Sequence, residues 1–417
     1  MNNVFPLWTA MPFVALVLAI ATLPMTAPGF WGKLWFQALV AGACAAPVAL
    51  FLVLGQHHEH LLGVTASYLS FICTIGALYV TTSGILVKGD IEATPRVNVT
   101  FMVAGALLSS VIGTTGASVL MIRPLLRTNQ QRTKRNHLVP FFILLVANAG
   151  GLLTPLGDPP LLLGYLEGVP FFWTLRLFPY WLLYVGTTVA AFWVIERRAY
   201  AGEPEASKAR DRAEVIPLAV VGQRNLVLLL GIVGAVLLPS PWREAAMLGI
   251  AGASYALTPK EVRENNGFSF GPIVEVGVLF AGLFVCLAPV EVSLAENASR
   301  LPVQHAWQLF WGSGLLSSVL DNAPTYAAFA AMARGLSHGH PDLVAGITPV
   351  QLAAVSVGSV VMGATTYIGN GPNLVVKAIA EKAGYETPSF GRYAAFAIAV
   401  LTPIHLVTTS VLLWIER

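Results

Sequence analysis

Helix-length apolar runs recur along this chain from its first residues to its last, separated by short polar breaks. Crossing the roughly 30 Å of bilayer hydrocarbon takes about 20 helical residues, and run after run meets that length. Only 11% of the residues are charged and 56% are hydrophobic, against about 25% charged in a soluble domain. The chain is therefore predicted to be an all-α, polytopic membrane protein, with no stretch left for a soluble domain. The net charge of +3 is small and most Lys and Arg lie in short loops, where they set topology, so nucleic acid is excluded as a partner. Cys44, Cys73 and Cys286 sit far apart in apolar runs without metal or redox spacing and read as packing residues. The first run, Trp8 to Ala27, has no basic residue ahead of it and reads as a retained helix.

Breaks between runs place crossings at 7–27, 33–55 and 64–87, an interrupted block at 97–126, and crossings at 138–167 and 173–195. A polar linker at 196–223 follows, then crossings at 224–238, 243–257 and 270–288, a second interrupted block at 304–335, and crossings at 347–384 and 391–414. Residues 1–195 and 224–417 thus share one order: three helices, an interrupted block, an overlong broken segment and a last helix. With about five crossings in each half, an odd number, the second half starts on the opposite face, which makes the repeats inverted. Charge agrees: Arg127, Arg132, Lys134 and Arg135 fill one loop, Arg197, Arg198, Lys208, Arg210 and Arg212 the linker, and Lys260 and Arg263 a third. All three loops then lie in the cytoplasm, and both termini face outside.

The strongest chemical signal is a duplicated pair of motifs. GTTGASVLMIRPLL (113–126) precedes NAGGLLTPLGDPPLLLGYLEG (148–168), and LDNAPTYAAFAAMA (320–333) precedes GATTYIGNGPNLVVKAIAEKAG (363–384). The cores align as Gly157-Asp158-Pro159-Pro160 and Gly369-Asn370-Gly371-Pro372. Glycine and proline inside a crossing break the helical ladder and free backbone groups that lipid cannot satisfy, so such backbone survives only beside protein or a polar cavity. Freed carbonyls with hydroxyl, amide and carboxylate oxygens suit a hard cation such as Na⁺, while half-helix N-termini attract anions. One such string would be a simple kink; two at the same distance behind an interrupted block point to two related sites near the midplane. Asp158 and Asp321 are costly charges there, and a desolvated carboxyl can exchange H⁺ for a cation. Helix N-capping is the structural alternative for both, and the two roles are compatible.

The DNAPT string, the two G-(D/N)-x-P loops and the inverted order resemble the ion transporter superfamily, in the branch of NhaD-type sodium/proton antiporters and citrate transporters. Arsenite permeases and divalent-anion/sodium symporters are more distant relatives. The resemblance implies two re-entrant hairpins (97–126 and 304–335) whose tips face two broken helices (138–167 and 347–384). It places the second tip at Asp321-Asn322-Ala323 with Thr365, Thr366, Gly369, Asn370 and Asn373 opposite. The first tip falls at Thr114-Thr115-Gly116 opposite Gly157 and Asp158, with Thr115 where the family carries asparagine. Asp321, Asn322, Asn370 and Asp158 are the sodium candidates, and the first site departs from the family pattern. The resemblance also implies a homodimer, an elevator mechanism and a bacterial inner-membrane location.

The expected activity is sodium/proton antiport, with Na⁺ and/or H⁺ as transported or coupling ions competing for a site that contains Asp321, Asn322 and Asn370, Asp158 being its counterpart in the other repeat, and with no cofactor and no enzymatic chemistry. Symport of a carboxylate such as citrate or another anion is the alternative, and arsenite export a third. A channel or scaffold has no use for duplicated broken helices, and no GxxxxGK[ST] sequence is present to drive transport with ATP. Among lesser features, Gln56 to His60 reads as an external loop with metal or pH-sensing chemistry as its alternative, and Glu275 as a proton relay or a partner for an intramembrane Arg. Arg123 is expected to snorkel, and Lys377, one turn past the second break, to bind an anion, replace a cation or do neither.

Overall fold

The computed structural model describes residues 5–416 and is almost wholly helical. The first half runs through α1 (Met11–Thr26), α2 (Pro28–Trp31), α3 (Leu34–Leu54) and α4 (His58–Thr82), then a helical pair α5 (Pro95–Ile112) and α6 (Thr114–Thr128). A broken segment follows, α7 (Leu138–Leu145) and α8 (Pro159–Leu166) flanking a 3-10 stretch at Ala149–Leu153, and α9 (Phe178–Ala201) ends the half. After α10 (Glu205–Ala213) the order returns with α11 (Arg224–Ala235), α12 (Trp242–Leu257), α13 (Lys260–Asn265) and α14 (Gly271–Asn297). The second pair is α15 (Ala306–Ser317) and α16 (Asn322–Leu336), the second broken segment α17 (Pro349–Val361) and α18 (Gly371–Lys382), and α19 (Phe390–Ile415) closes the chain. Six of these segments are long and apolar enough to cross a membrane by length and composition, so the protein is an all-α, integral, multi-pass membrane protein.

Two segments differ from the reading of the sequence. The apolar run Ile85-Leu86-Val87 does not extend α4; Leu86–Asp90 forms a strand, β1, antiparallel to β2 (Ile216–Val221). Gly89, at φ +105, carries the register shift between them, a backbone region L-residues rarely adopt. The polar linker is likewise structured, since it includes the end of α9, all of α10 and β2.

Hydrogen bonds fix how the broken segments lie. At one end, α18 is tied to the base of the first pair, where the Tyr385 hydroxyl donates to Leu126 O at 2.5 Å. At the other, α8 is tied to the base of the second pair by Arg334 to Glu167 at 2.5 Å. The Thr348 N–H, just before α17, donates to Ser337 at the end of α16. Both broken segments therefore run between the two hairpin bases in opposite directions, and the hairpins approach tip to tip from opposite ends. Glycine permits the breaks: a Cβ on Gly369 would come within 2.6 Å of Gly363 O, and Gly157 meets Gly151 in the same way. A second group of helices, α3, α4, α12 and α14, packs together around an aromatic cluster in which Phe71 stacks on Phe280 at 4.9 Å, and its α14 also lies along α16 of the second hairpin. The last helices of the two halves meet through Tyr184 and His405 at 2.8 Å.

Candidate functional site

The two tips converge on one carboxylate. Asp158 follows the first break and precedes α8 in extended backbone. Its side chain is 2% exposed. Thr114, the first residue of α6, donates its hydroxyl to Asp158 Oδ1 at 2.7 Å, and Asn322, the first residue of α16, donates its amide to Oδ2 at 2.8 Å. Asn370, at the second break, reaches Oδ1 at 3.5 Å. A buried carboxylate survives only when its oxygens are supplied with donors. Here the donors come from both halves of the chain.

Thr114 and Asn322 hold equivalent places, each opening the second helix of its hairpin and each bonding Asp158. The asparagine position of the first tip is therefore occupied by Thr114, one residue earlier than the motif alignment gave. Thr115 instead faces a neighbouring cavity. The backbone shares in the contact, since the Thr114 N–H donates to Gly157 O at 2.8 Å. Asp158 makes no side-chain cap bond to the helix it precedes and gives its oxygens to Thr114 and Asn322 instead, whereas Asp321 stands directly at the N-terminus of α16.

The amides around Asp158 satisfy what the breaks leave free. Asn370 donates to Ala147 O at 3.0 Å and to Asn148 Oδ1 at 3.1 Å, and Asn148 donates to Asn373 Oδ1 at 2.8 Å. Asn373 in turn donates to Gly363 O and Thr366 O, each at 2.9 Å. Thr154 and Thr366 act as a matched pair, each hydroxyl donating to a carbonyl near the end of the first helix of its own half's hairpin, Ser110 O and Ser318 O. Ser317 donates both to Asn322 Oδ1 and to Ser359 O at 2.6 Å. Asn148, Ser110 and Ser317 were not singled out from the sequence, where Asn148 before Ala-Gly-Gly looks like ordinary break chemistry. Thr365 has no side-chain hydrogen bond among the described residues.

Asp321 sits apart from this network. It lines a cavity of about 330 Å³ with Thr115, Glu275, Val276 and the Gly371-Pro372 start of α18. Glu275 has no Arg partner; Gln37 donates to it at 2.5 Å. A smaller cavity of about 100 Å³ touches Asp158, Thr114 and Gly157, and shares Thr115, Pro272 and Val276 with the first. Three carboxylates thus line two adjoining cavities whose walls hold no Lys or Arg among the described residues. Such a lining suits cations and repels bare anions.

The remaining candidates lie elsewhere. Lys377 pairs with Glu381 at 2.5 Å on the surface. Arg123 reaches to the base of the first hairpin, where it donates to Asn266 O at 2.6 Å. His58 and His60 belong to α4, His57 packs edge-on against Phe5, and no group of three His, Cys, Asp or Glu among the described residues is placed to hold a metal.

A comparison with curated proteins gives no match. A family model described as "Putative citrate transport" matches residues 2–413. Broken crossings, opposed hairpins and nearly complete coverage agree, and the chain belongs to that family of secondary transporters.

Proposed function

We propose that the protein is a sodium/proton antiporter in which Na⁺ and H⁺ compete for the carboxylate of Asp158. The observation that carries this is the convergence of both hairpin tips on Asp158 inside cavities lined by carboxylates and by no Lys or Arg. With H⁺ bound, the neutral carboxyl keeps its place between Thr114, Asn322 and Asn370. For Na⁺, rotation of the Asn322 amide exchanges its donor for its carbonyl oxygen, and the Ser317 hydroxyl turns from donor to acceptor toward that amide, a reversal open to a hydroxyl. The cation then meets carboxylate, amide and hydroxyl oxygens, the hard ligands it prefers. Asp321 and Glu275, on the adjoining cavity, form the approach to the site.

The movement we propose is of elevator type. The hairpins, the broken segments, α9 and α19 are linked to one another through buried hydrogen bonds, whereas α3, α4, α12 and α14 form the second group described above, against which the second hairpin would slide along the α14–α16 contact. Carrying the site as a block keeps the freed backbone groups satisfied throughout the cycle, and each orphan would cost several kcal/mol in hydrocarbon. We place the protein in a bacterial inner membrane as a homodimer, with the basic loops cytoplasmic.

The family description favours a second reading, symport of a carboxylate such as citrate. Purified protein in proteoliposomes separates the two. Under antiport, an imposed Na⁺ gradient moves protons with no citrate present. If Na⁺ moves no protons while labelled citrate accumulates, the antiporter reading is overturned and the symport reading stands.

A further inference from the structure

A third cavity, of about 440 Å³, lies at the base of the first hairpin, well away from the tips in the fold. Its wall is made by three separate pieces of chain. The end of α6 gives Arg123, Arg127 and Gln130, the α13–α14 connection gives Glu264, Asn265 and Gly267, and the end of α18 gives Lys382 and Tyr385.

The charges here are unbalanced and convergent. Among the described residues, Arg123, Arg127 and Lys382 make no ion pair. Arg123 is held by the Asn266 carbonyl and Arg127 by the Gly89 carbonyl at 3.0 Å, bonds that position each guanidinium without neutralising it. Glu264 is the one carboxylate on the wall. A fourth cation, Arg135, stacks on the Tyr385 ring at 4.0 Å. Loop cations that only set topology need to lie on one side of the membrane; they need not face a common cavity from three elements. Convergent, preorganised cations around a concavity are what recognition of carboxylate or phosphate groups requires.

We propose that this cleft binds a multivalent anion carrying two or more carboxylate or phosphate groups, which bridges α6 and the end of α18 on one wall to the α13–α14 connection on the other. Because those walls belong to the hairpin group and to the helices around α14, a bound anion holds the hairpin base against its neighbour and sets how readily the two separate. The site is distinct from the carboxylate-lined centre and does not depend on which ion the centre carries.

The test uses the full chain with Asn265→Cys, read by its labelling rate with a charged thiol reagent; the three native cysteines lie in apolar helices, and the unsubstituted protein supplies the blank. In nanodiscs of neutral lipid, potassium phosphate and potassium citrate are titrated separately against potassium chloride of matched ionic strength. A parallel series replaces part of the neutral lipid with phosphatidylglycerol. Slower labelling with phosphate or citrate identifies a dissolved anion, and slower labelling only with phosphatidylglycerol identifies a lipid headgroup. In either case exposed Lys382, changed to Gln or Glu, raises the half-protecting amount about tenfold. Equal labelling in every series, or protection that survives Lys382→Glu unchanged, overturns the proposal.

Discussion

The two hairpins follow one plan and are held in different ways. At the base of α5/α6, Glu196 accepts from Arg132 at 2.5 Å, from Asn98 at 2.8 Å and pairs with His137 at 2.6 Å, while Asn98 and Asn129 exchange amide bonds. The Arg132 and Glu196 side chains are 3% and 0% exposed. At the base of α15/α16 the corresponding ion pair is Arg334 to Glu167, 30% and 21% exposed, and the other ties there are neutral: Ser337 donates to Gln351 at 2.7 Å and accepts from the Thr348 N–H. The tips differ the other way: the first offers Gly113 and Thr114, the second a charge and an amide, Asp321 and Asn322. The first hairpin is thus clamped at its base by a buried charge cluster and spare at its tip, and the second is tied at its base by a more exposed ion pair with neutral bonds and is chemically richer at its tip.

The largest effect expected from this contrast is on stability. Removing one partner of a buried ion pair strands the other and costs about 3–5 kcal/mol, whereas a pair that keeps part of its solvation strands less and costs less. Arg132→Met should therefore lower the thermal unfolding midpoint of the purified protein far more than Arg334→Met. Equal shifts would show that the first base is no better clamped than the second.

Next comes the shared carboxylate. Asp158→Asn keeps shape and removes the titratable charge, and coupled transport should fall at least about a hundredfold, near 2.7 kcal/mol at 1.36 kcal/mol per decade. Asp321→Asn, which alters only the adjoining cavity, should fall less. A stronger loss at Asp321 than at Asp158 in the same proteoliposome assay would move the centre to the second tip.

The tips themselves separate on a finer scale. Asn322→Ala takes a donor from Asp158 and an acceptor from Ser317, and should cost about tenfold in coupled transport, the value of one hydrogen bond to a charged group. Thr114→Val removes one hydroxyl, while the other Asp158 donors and a backbone tie from residue 114 to Gly157 remain, so a loss of only about threefold is expected. A double-variant cycle with Asp158→Asn checks that both losses pass through the carboxylate, because independent sites would simply add.

Much of this architecture was legible in the sequence because lipid makes the rules strict. A Gly-Asp-Pro or Gly-Asn-Gly-Pro string inside an apolar run has few structural explanations, so Asp158 and Asn370 stood out. The meeting of Thr114 and Asn322 on one carboxylate did not, since it joins residues 208 positions apart and turns on where each tip helix starts; an alignment one residue off exchanges Thr114 for Thr115. Glu196 was hidden for another reason. It ends an apolar helix beside Arg197 and Arg198 and reads as the first residue of a solvated linker, and only the fold buries it. The strand at Leu86–Asp90 was lost because a short apolar run after a helix looks like more helix.

The smallest expected effect concerns pH at the clamped base, outside the crossings. Glu203 accepts from the Thr133 N–H at 2.5 Å, the Thr133 hydroxyl at 2.8 Å and the Lys134 N–H at 3.0 Å. Burial alone raises this carboxyl, but the two backbone N–H groups, the hydroxyl and nearby Arg132 together outweigh it and hold it below its ordinary value. A carboxyl lowered on folding adds stability that is present above its unfolded value, near 4.3, and that fades as pH falls through the folded value. The loop Arg132–His137 should therefore loosen only in acid, and Glu203→Gln should flatten that part of the stability curve by lowering the midpoint above pH 6 while leaving it nearly unchanged near pH 3. Thermal unfolding of both proteins across pH 3 to 7 measures this. Parallel curves would mean that the Glu203 bonds do not hold the base, and that the buried Arg132–Glu196 pair clamps it alone.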